Sequence, residues 1–349
     1  MELRVNDSYD ERLCVGMTKA YVCMNNEVYV GIDVHERESQ IAVLNKDGEL
    51  LEEKRVPTCS LTKYLSSING RKHVAIEAVG FVYPIYDKLK MLNDCTVSVA
   101  SPSRLQLIAK SKLKNDRVDA IALGELLRTN YLPVSHMIDE QAREKKLLAM
   151  ERARYARRKA RVVVEIKWLL KRRGIKVKGH DDLKELHLPE IDRRLRELEL
   201  LNSIIDELES AIRETAANDE RVKLLDTIPG IAPYSALYLS TMLDDVGRFH
   251  DSKQAAAYLG LVPSLHQSGD VSYTGHITKA GDPVLRSILI QCARAGIKSD
   301  KRLKEFYLRI KRKRGEKKAI IAVARKIVVY AYWILKKNVT YKELILGRN

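Results

Sequence analysis

The feature that most restricts the fold is a series of short apolar segments near the N-terminus, two of which end in a carboxylate. Val28–Asp33 reads VYVGID and His73–Ala78 reads HVAIEA. Short apolar runs of this kind, bounded by turn residues, form strands buried on both faces. Between them, Ser39–Leu44 and Leu50–Val56 read as two more strands, joined by a hairpin turn at Asp47-Gly48. Thr96–Ala100 is a fifth strand, and helices are expected over about 81–92, 102–113 and 116–128. Three antiparallel strands followed by strand–helix alternation predict an α/β domain with a mixed sheet.

The remainder is predominantly helical. Residues 140–173 read as one long basic helix, broken by Gly174 and His180-Asp181-Asp182. A second helix starts near Pro189. In it Ile191, Leu195, Leu198, Leu201 or Asn202, Ile205, Leu208 and Ile212 recur at steps of three and four. That seam suits an antiparallel helical hairpin, an intermolecular coiled coil, or packing on the chain's own core. Ile228-Pro229-Gly230-Ile231 is a turn between helices, resembling a helix-hairpin-helix, in which glycine would let backbone N–H groups approach a DNA phosphate. Ala319–Leu335 is an apolar core helix. Residues 1–27 show no periodicity and read as a flexible leader.

Charge is segregated along these elements. Arg143–Lys178 holds 15 basic and 3 acidic residues, and Lys298–Lys318 holds 11 and 3. Asp181–Glu220, between them, carries a net −8. Two separate basic blocks in a chain of net charge +16 suit a polyanion such as nucleic acid. A solvated helix face is the plainer account of either block alone. The expected contacts are Arg157, Arg158, Arg161, Lys171 and Arg172 in the first block, and Lys311 and Arg312 in the second. No apolar run spans a bilayer and no signal peptide is evident, so a cytoplasmic protein is expected. The five cysteines lack C-x-x-C spacing and are expected to be reduced, mostly buried thiols.

Four acids stand out by context. Asp33 and Glu77 end apolar strands, where capping does not explain them. Asp116 and Asp119, at a helix start, share one helical face. Asp116 alone would also serve as a cap. Carboxylates at adjacent strand ends facing a helical pair form an oxygen-rich site suited to Mg²⁺ or Mn²⁺. Such ions could hold the attacking and leaving oxygens of a phosphodiester.

Leu259–Ser287 is rich in glycine and small polar residues between two helical stretches, and reads as a long irregular loop. Within it, Gly269 could turn sharply enough to expose the Ser268 hydroxyl. Lys279 and Arg286 could neutralise a phosphate. Serine needs activation to act as a nucleophile, and His266 is one candidate base. A serine in such a loop is otherwise a turn residue.

Taken together, VGIDVH, AIEAVG, KNDRVDA, IPGI and GLVPSLHQSGD…GHITKAGDPVLR resemble the DEDD-type insertion-sequence transposases, relatives of the pilin-gene-inverting and bridge-RNA-guided recombinases. The resemblance covers about Tyr29–Leu335. It implies an RNase H-like (RuvC-like) domain over 28–135, a coiled-coil connector over 136–219 and a helical transposase domain over 220–349. It places divalent-metal binding on Asp33, Glu77, Asp116 and Asp119, and a nucleophile forming a covalent phosphoserine–DNA link on Ser268. It also implies DNA strand cleavage and transfer, a dimer-to-tetramer assembly with the active site shared between protomers, and in some members a structured guide RNA. The leader departs from the pattern, and Met24 is an alternative start. Two other readings stand beside this one. A Holliday-junction-type nuclease would need only the four acids, and a silent nucleic-acid scaffold only the basic blocks.

Overall fold

Strand β1 (Glu27–Val34) is the centre of a five-stranded mixed sheet of order β3-β2-β1-β4-β5. It pairs antiparallel with β2 (Glu38–Leu44), which pairs antiparallel with β3 (Leu50–Pro57). On its other side β1 runs parallel to β4 (Arg71–Glu77), and β4 parallel to β5 (Cys95–Ala100). This computed structural model describes residues 27–102, 104–105, 115–177, 180–268, 271–279 and 281–347. The expected leader, Cys14, Cys23 and most of the expected 102–113 helix lie outside them.

The described residues divide into two compact units, on either side of Met137 and Ile138. In the first, strand parity sorts side chains onto two faces. Val30, Ile32, Val74 and Ile76 pack with Leu61 and Leu65 of α1 (Leu61–Ser66) and Val82 and Leu89 of α2 (Val82–Lys90). The opposite face carries small residues, including Gly31 and Ala75, and there α3 (Asp116–Arg128) docks. Cover on both faces explains why the strands read as apolar runs.

The second unit begins with α4 (Glu140–Arg172), capped by the Asp139 side chain, which accepts from the Ala142 N–H at 2.7 Å. After the short α5 (His180–Glu185) the chain returns as α6 (Pro189–Ala217). Ion pairs Arg173–Glu190, Arg194–Glu165, Arg152–Glu209 and Lys145–Asp219 run in opposite order along the two helices, so the pair is an antiparallel hairpin. The seam residues Ile191, Leu195, Leu198 and Leu201 are buried against Val162, Ile166 and Leu170 of α4. Over this stretch the same chain covers the seam, as the antiparallel-hairpin alternative expects.

Helices α7 (Glu220–Asp226), α8 (Pro233–Leu243), α9 (Ser252–Tyr258) and α10 (Pro283–Ser299) follow, then α11 (Lys301–Arg314), α12 (Glu316–Lys337) and α13 (Tyr341–Leu346). Helix α12, the expected apolar tail helix, is core, with Val323, Ala324, Ile327 and Val328 fully buried. Two expectations need correction. The segment after Leu259 is not irregular: β6 (Pro263–Ser268) and β7 (Val271–Ile277) form an antiparallel pair, with Ser268 opposite Val271. Of the described cysteines only Cys292 is buried, while Cys59 is exposed and Cys95 intermediate.

Candidate metal centre and nucleic-acid surface

The first unit brings its acids to one end of the sheet by parity and by one close contact. Asp33 lies two residues beyond Gly31, and Glu77 two beyond Ala75, so both share the face that α3 covers. Gly31 lets α3 come close: a Cβ there would stand 1.9 Å from the Ala120 carbonyl oxygen and 2.5 Å from the Gly124 nitrogen. The first turn of α3, carrying Asp116 and Asp119, is thereby held beside the end of β1. Asn115 caps that turn, its side chain accepting from the Arg117 N–H at 3.2 Å. Asp116 is therefore not the cap, and its carboxylate is turned to other partners.

Those partners include two residues the sequence reading does not single out. His35 Nε2 lies 3.3 Å from Asp33 Oδ2 and 3.6 Å from Asp116 Oδ2. The Arg55 guanidinium donates to Asp116 Oδ2 at 2.7 Å, and Arg117 pairs with Glu53 at 2.6 Å. Two crossed ion pairs thus tie the start of α3 to β3. The signal for His35 is its place two residues after Asp33 in the VGIDVH motif, on the same side of an extended chain. Arg55 carries no local signal.

One donor atom each from Asp33, His35 and Asp116 lies within 4.8 Å of the others. Burial pushes the Asp33 carboxyl above its ordinary value; His35 opposes this, and the Asp116 and Asp119 charges add to it. A cluster that resists its own ionisation is one that a divalent cation would relieve. Two carboxylates and an imidazole suit Mn²⁺, and the carboxylates suit Mg²⁺. The residues therefore fit a divalent ion. Glu77 and Asp119 are not among those three donors. Glu77 ends the strand beside β1, and Asp119 is close enough for its charge to act on Asp33.

In the second unit, Ser268 ends β6 at the tip of the hairpin. Its side chain, and that of His266, lie outside what the structure describes. Lys279 follows the hairpin, exposed, with φ +56°. Arg286 donates to the Gly281 carbonyl at 3.0 Å. Asp282, in the same Gly-Asp-Pro motif, accepts from the N–H groups of Val284 and Leu285 and from the buried Tyr238 hydroxyl at 2.6 Å. Gly230 has φ +88°, and a Cβ there would meet the Cys292 oxygen at 2.3 Å and the Gly296 nitrogen at 2.4 Å. The close approach that glycine permits here is to α10, whereas the turn motif alone predicts approach to a phosphate.

Seven basic side chains of α4 are exposed: Arg154, Arg157, Arg158, Arg161, Lys167, Lys171 and Arg172. Arg157, Arg158 and Arg161 line, with Arg154, a groove of about 370 Å³. Arg172 stacks over Trp168 at 5.2 Å, and Lys171 stands exposed beside it. In the second block, Lys311 faces Glu316 at 3.6 Å and the Tyr307 ring at 5.6 Å, while Arg312 points into a different cleft. Among the described residues, no helix is long and apolar enough to cross a membrane.

Comparison with known proteins supplies the class of protein first. Residues 30–173 match a family model of DEDD type described as "Transposase", which spans the sheet, α3 and α4. Residues 222–308 match the model described as "Transposase IS116/IS110/IS902 family". The transposase for insertion sequence element IS1111A of Coxiella burnetii is 29% identical, covering 90% of this chain and 91% of its own. The transposase for IS1328 of Yersinia enterocolitica is 30% identical, over 78% and 84%. The pilin gene-inverting protein of Moraxella lacunata is 27% identical, over 78% and 83%. The chain belongs to the IS110 family of insertion-sequence transposases.

Proposed function

We propose that this protein cuts and rejoins DNA at the ends of a mobile insertion element, using a divalent-metal centre in an RNase H-like domain and a serine nucleophile. The observation that carries the reading is the convergence of Asp33, His35 and Asp116 donors at the end of the sheet. Asp33, Glu77, Asp116 and Asp119 would hold Mg²⁺ or Mn²⁺, with His35 beside them. Bound there, the ion would polarise the phosphodiester and neutralise charge developing on its oxygens.

The chain's own residues would do the rest. The Ser268 oxygen attacks phosphorus, an O–P bond forms, and the bond from phosphorus to one deoxyribose oxygen breaks. The serine proton passes to a base, and the leaving oxygen takes up a proton as a DNA hydroxyl. A hydroxyl of the second DNA end then attacks the phosphoserine, restoring the serine and the phosphodiester. Bond energy is conserved, so no nucleotide cofactor is required. Lys279 and Arg286 would neutralise the phosphate at the serine. The exposed arginines of α4 support binding of DNA or a structured guide RNA through phosphates, with sequence read by base pairing. Gly230 would add a further backbone contact, and the enzyme would work as a dimer or tetramer.

The test uses DNA flanking the gene, incubated with the full chain and Mg²⁺ or Mn²⁺, then denatured and analysed by mass spectrometry. A phosphoserine adduct mapping to Ser268 is expected. An adduct that survives Ser268→Ala removes the nucleophile. Cleavage undiminished in Asp33→Asn removes the metal centre and favours a protein that only binds nucleic acid. Cleavage retained by Ser268→Ala but lost by Asp33→Asn favours a nuclease of the Holliday-junction type.

A further inference from the structure

The second basic block does not behave as one surface. Folded as α11, it sends its cations to separate faces. Arg302, Arg309 and Arg312 line a cleft of about 550 Å³ between α11 and α12. Their spacing of seven and three residues keeps them on one side of the helix. From α12, Lys326 joins them; its ammonium stands 4.9 Å from the Phe306 ring centre and 5.2 Å from that of Tyr330. The Arg309 guanidinium lies 5.4 Å from the Phe306 ring. The rings therefore carry the cations and are not themselves offered for stacking.

Against these cations the lining holds one carboxylate, Glu305. Among the described residues, Arg302, Arg309 and Arg312 are exposed and make no ion pair. Lys311, one residue from Arg312, is committed elsewhere, to Glu316 and Tyr307.

Three planar guanidinium forks in file suit a regular polyanion that each can grip by two oxygens. At about 1.5 Å per residue, Arg302 to Arg312 spans about 15 Å. A strand carrying a phosphate every ~3.4 Å along its axis places about four of them over that length. We propose that this cleft is a phosphate-backbone groove holding one nucleic-acid strand through Arg302, Arg309 and Arg312, with Lys326 at its floor, and that Lys311 takes no part. The inference rests on the reading that this chain handles nucleic acid, but not on the metal centre or Ser268.

The experiment measures binding of the full chain to fluorescein-labelled dT20 and rU20 by anisotropy, in EDTA, between about 50 and 200 mM salt. Replacing all three arginines with glutamine is expected to weaken binding at least tenfold at about 100 mM salt. It should also flatten the plot of log K against log[salt] by about two, three contacts each being worth about 0.7 on a single strand. The strand that loses more is the one the groove holds. Lys311→Gln should leave affinity and slope unchanged. A second variant with lysine at all three positions keeps the charge and should keep most of the slope. The proposal is overturned if the glutamine variant keeps its slope, or if Lys311→Gln lowers it as much. It is also overturned if the lysine variant falls as far as the glutamine one, which would mark a packing role. Displacement of dT20 by polyglutamate at equal charge concentration would overturn it in favour of an acidic protein partner.

Discussion

Gly31→Ala tests the contact on which the carboxylate centre depends. The added methyl would lie 1.9 Å from the Ala120 oxygen and 2.5 Å from the Gly124 nitrogen, both backbone atoms that cannot rotate aside. Even a 3.0 Å contact requires α3 to retreat by about 1.1 Å. Overpacking of this kind costs about 1–3 kcal/mol. The retreat carries Asp116 and Asp119 with it, and a displacement of about 1 Å at a reacting centre costs on the order of 100-fold in rate. Gly80→Ala is the control, because a Cβ there meets nothing within 4 Å and φ is not in the left-handed region. Urea unfolding of the full chain, followed through a probe placed in the first unit, should show the loss for Gly31→Ala and not for Gly80→Ala. Strand cleavage with Mn²⁺ should fall further than stability alone explains. Unchanged unfolding and unchanged cleavage in Gly31→Ala would refute the idea that the glycine sets the distance between helix and strand.

Other outcomes follow from the same geometry. Arg55→Gln removes the guanidinium from Asp116; because the pair is half-exposed, stability should move by no more than about 1 kcal/mol while cleavage drops measurably. Asp282→Ala strips the α10 cap and leaves the buried Tyr238 hydroxyl without its partner, so thermal unfolding should register a loss of about 2–4 kcal/mol, with Tyr238→Phe losing less. Burial works to raise the Asp219 carboxyl, but Lys145 and the N–H groups of Val222 and Arg221 outweigh it and hold the group below its ordinary value. A depressed folded value gives stability that is present above the unfolded value near ~3.9 and lost as pH falls through the folded one. Asp219→Asn should therefore flatten the acid limb of the stability profile below about pH 4 and leave its slope near neutrality alone.

The acid centre was half legible from residues alone, for a definable reason. A carboxylate ending an apolar strand has no packing purpose, so Asp33 and Glu77 announce themselves, and strand parity puts both on one face. What lies across from them is a tertiary fact. Gly31 signals a close approach but not that the approaching backbone belongs to Ala120 and Gly124. Asn115 and Asp116 are both good caps by type, and only the hydrogen bond shows that Asn115 takes the role. Arg55 reaches Asp116 from 61 positions away, a pairing no local pattern carries. The pairing of β6 with β7 escapes sequence reading because both strands are polar enough to read as loop, and the one clue in the sequence is the dipeptide Gly269-Asp270, a type common in two-residue turns.

The helical half shows the complementary limit. Period tells which face of a helix is buried but not what buries it, and so the α6 seam reads equally as an oligomer contact and as the α4 partner that it is. Charge counting fails at finer scale. Lys311 and Arg312 are adjacent and equally cationic in the sequence, yet one step along a helix turns about a quarter of a circle, since 3.6 residues complete a turn. That rotation sends Lys311 to Glu316 and Arg312 into the cleft with Arg302 and Arg309. A basic block thus sets the long-range attraction of the surface for a polyanion, whereas the subset of its cations left without an ion-pair partner decides where that polyanion is held.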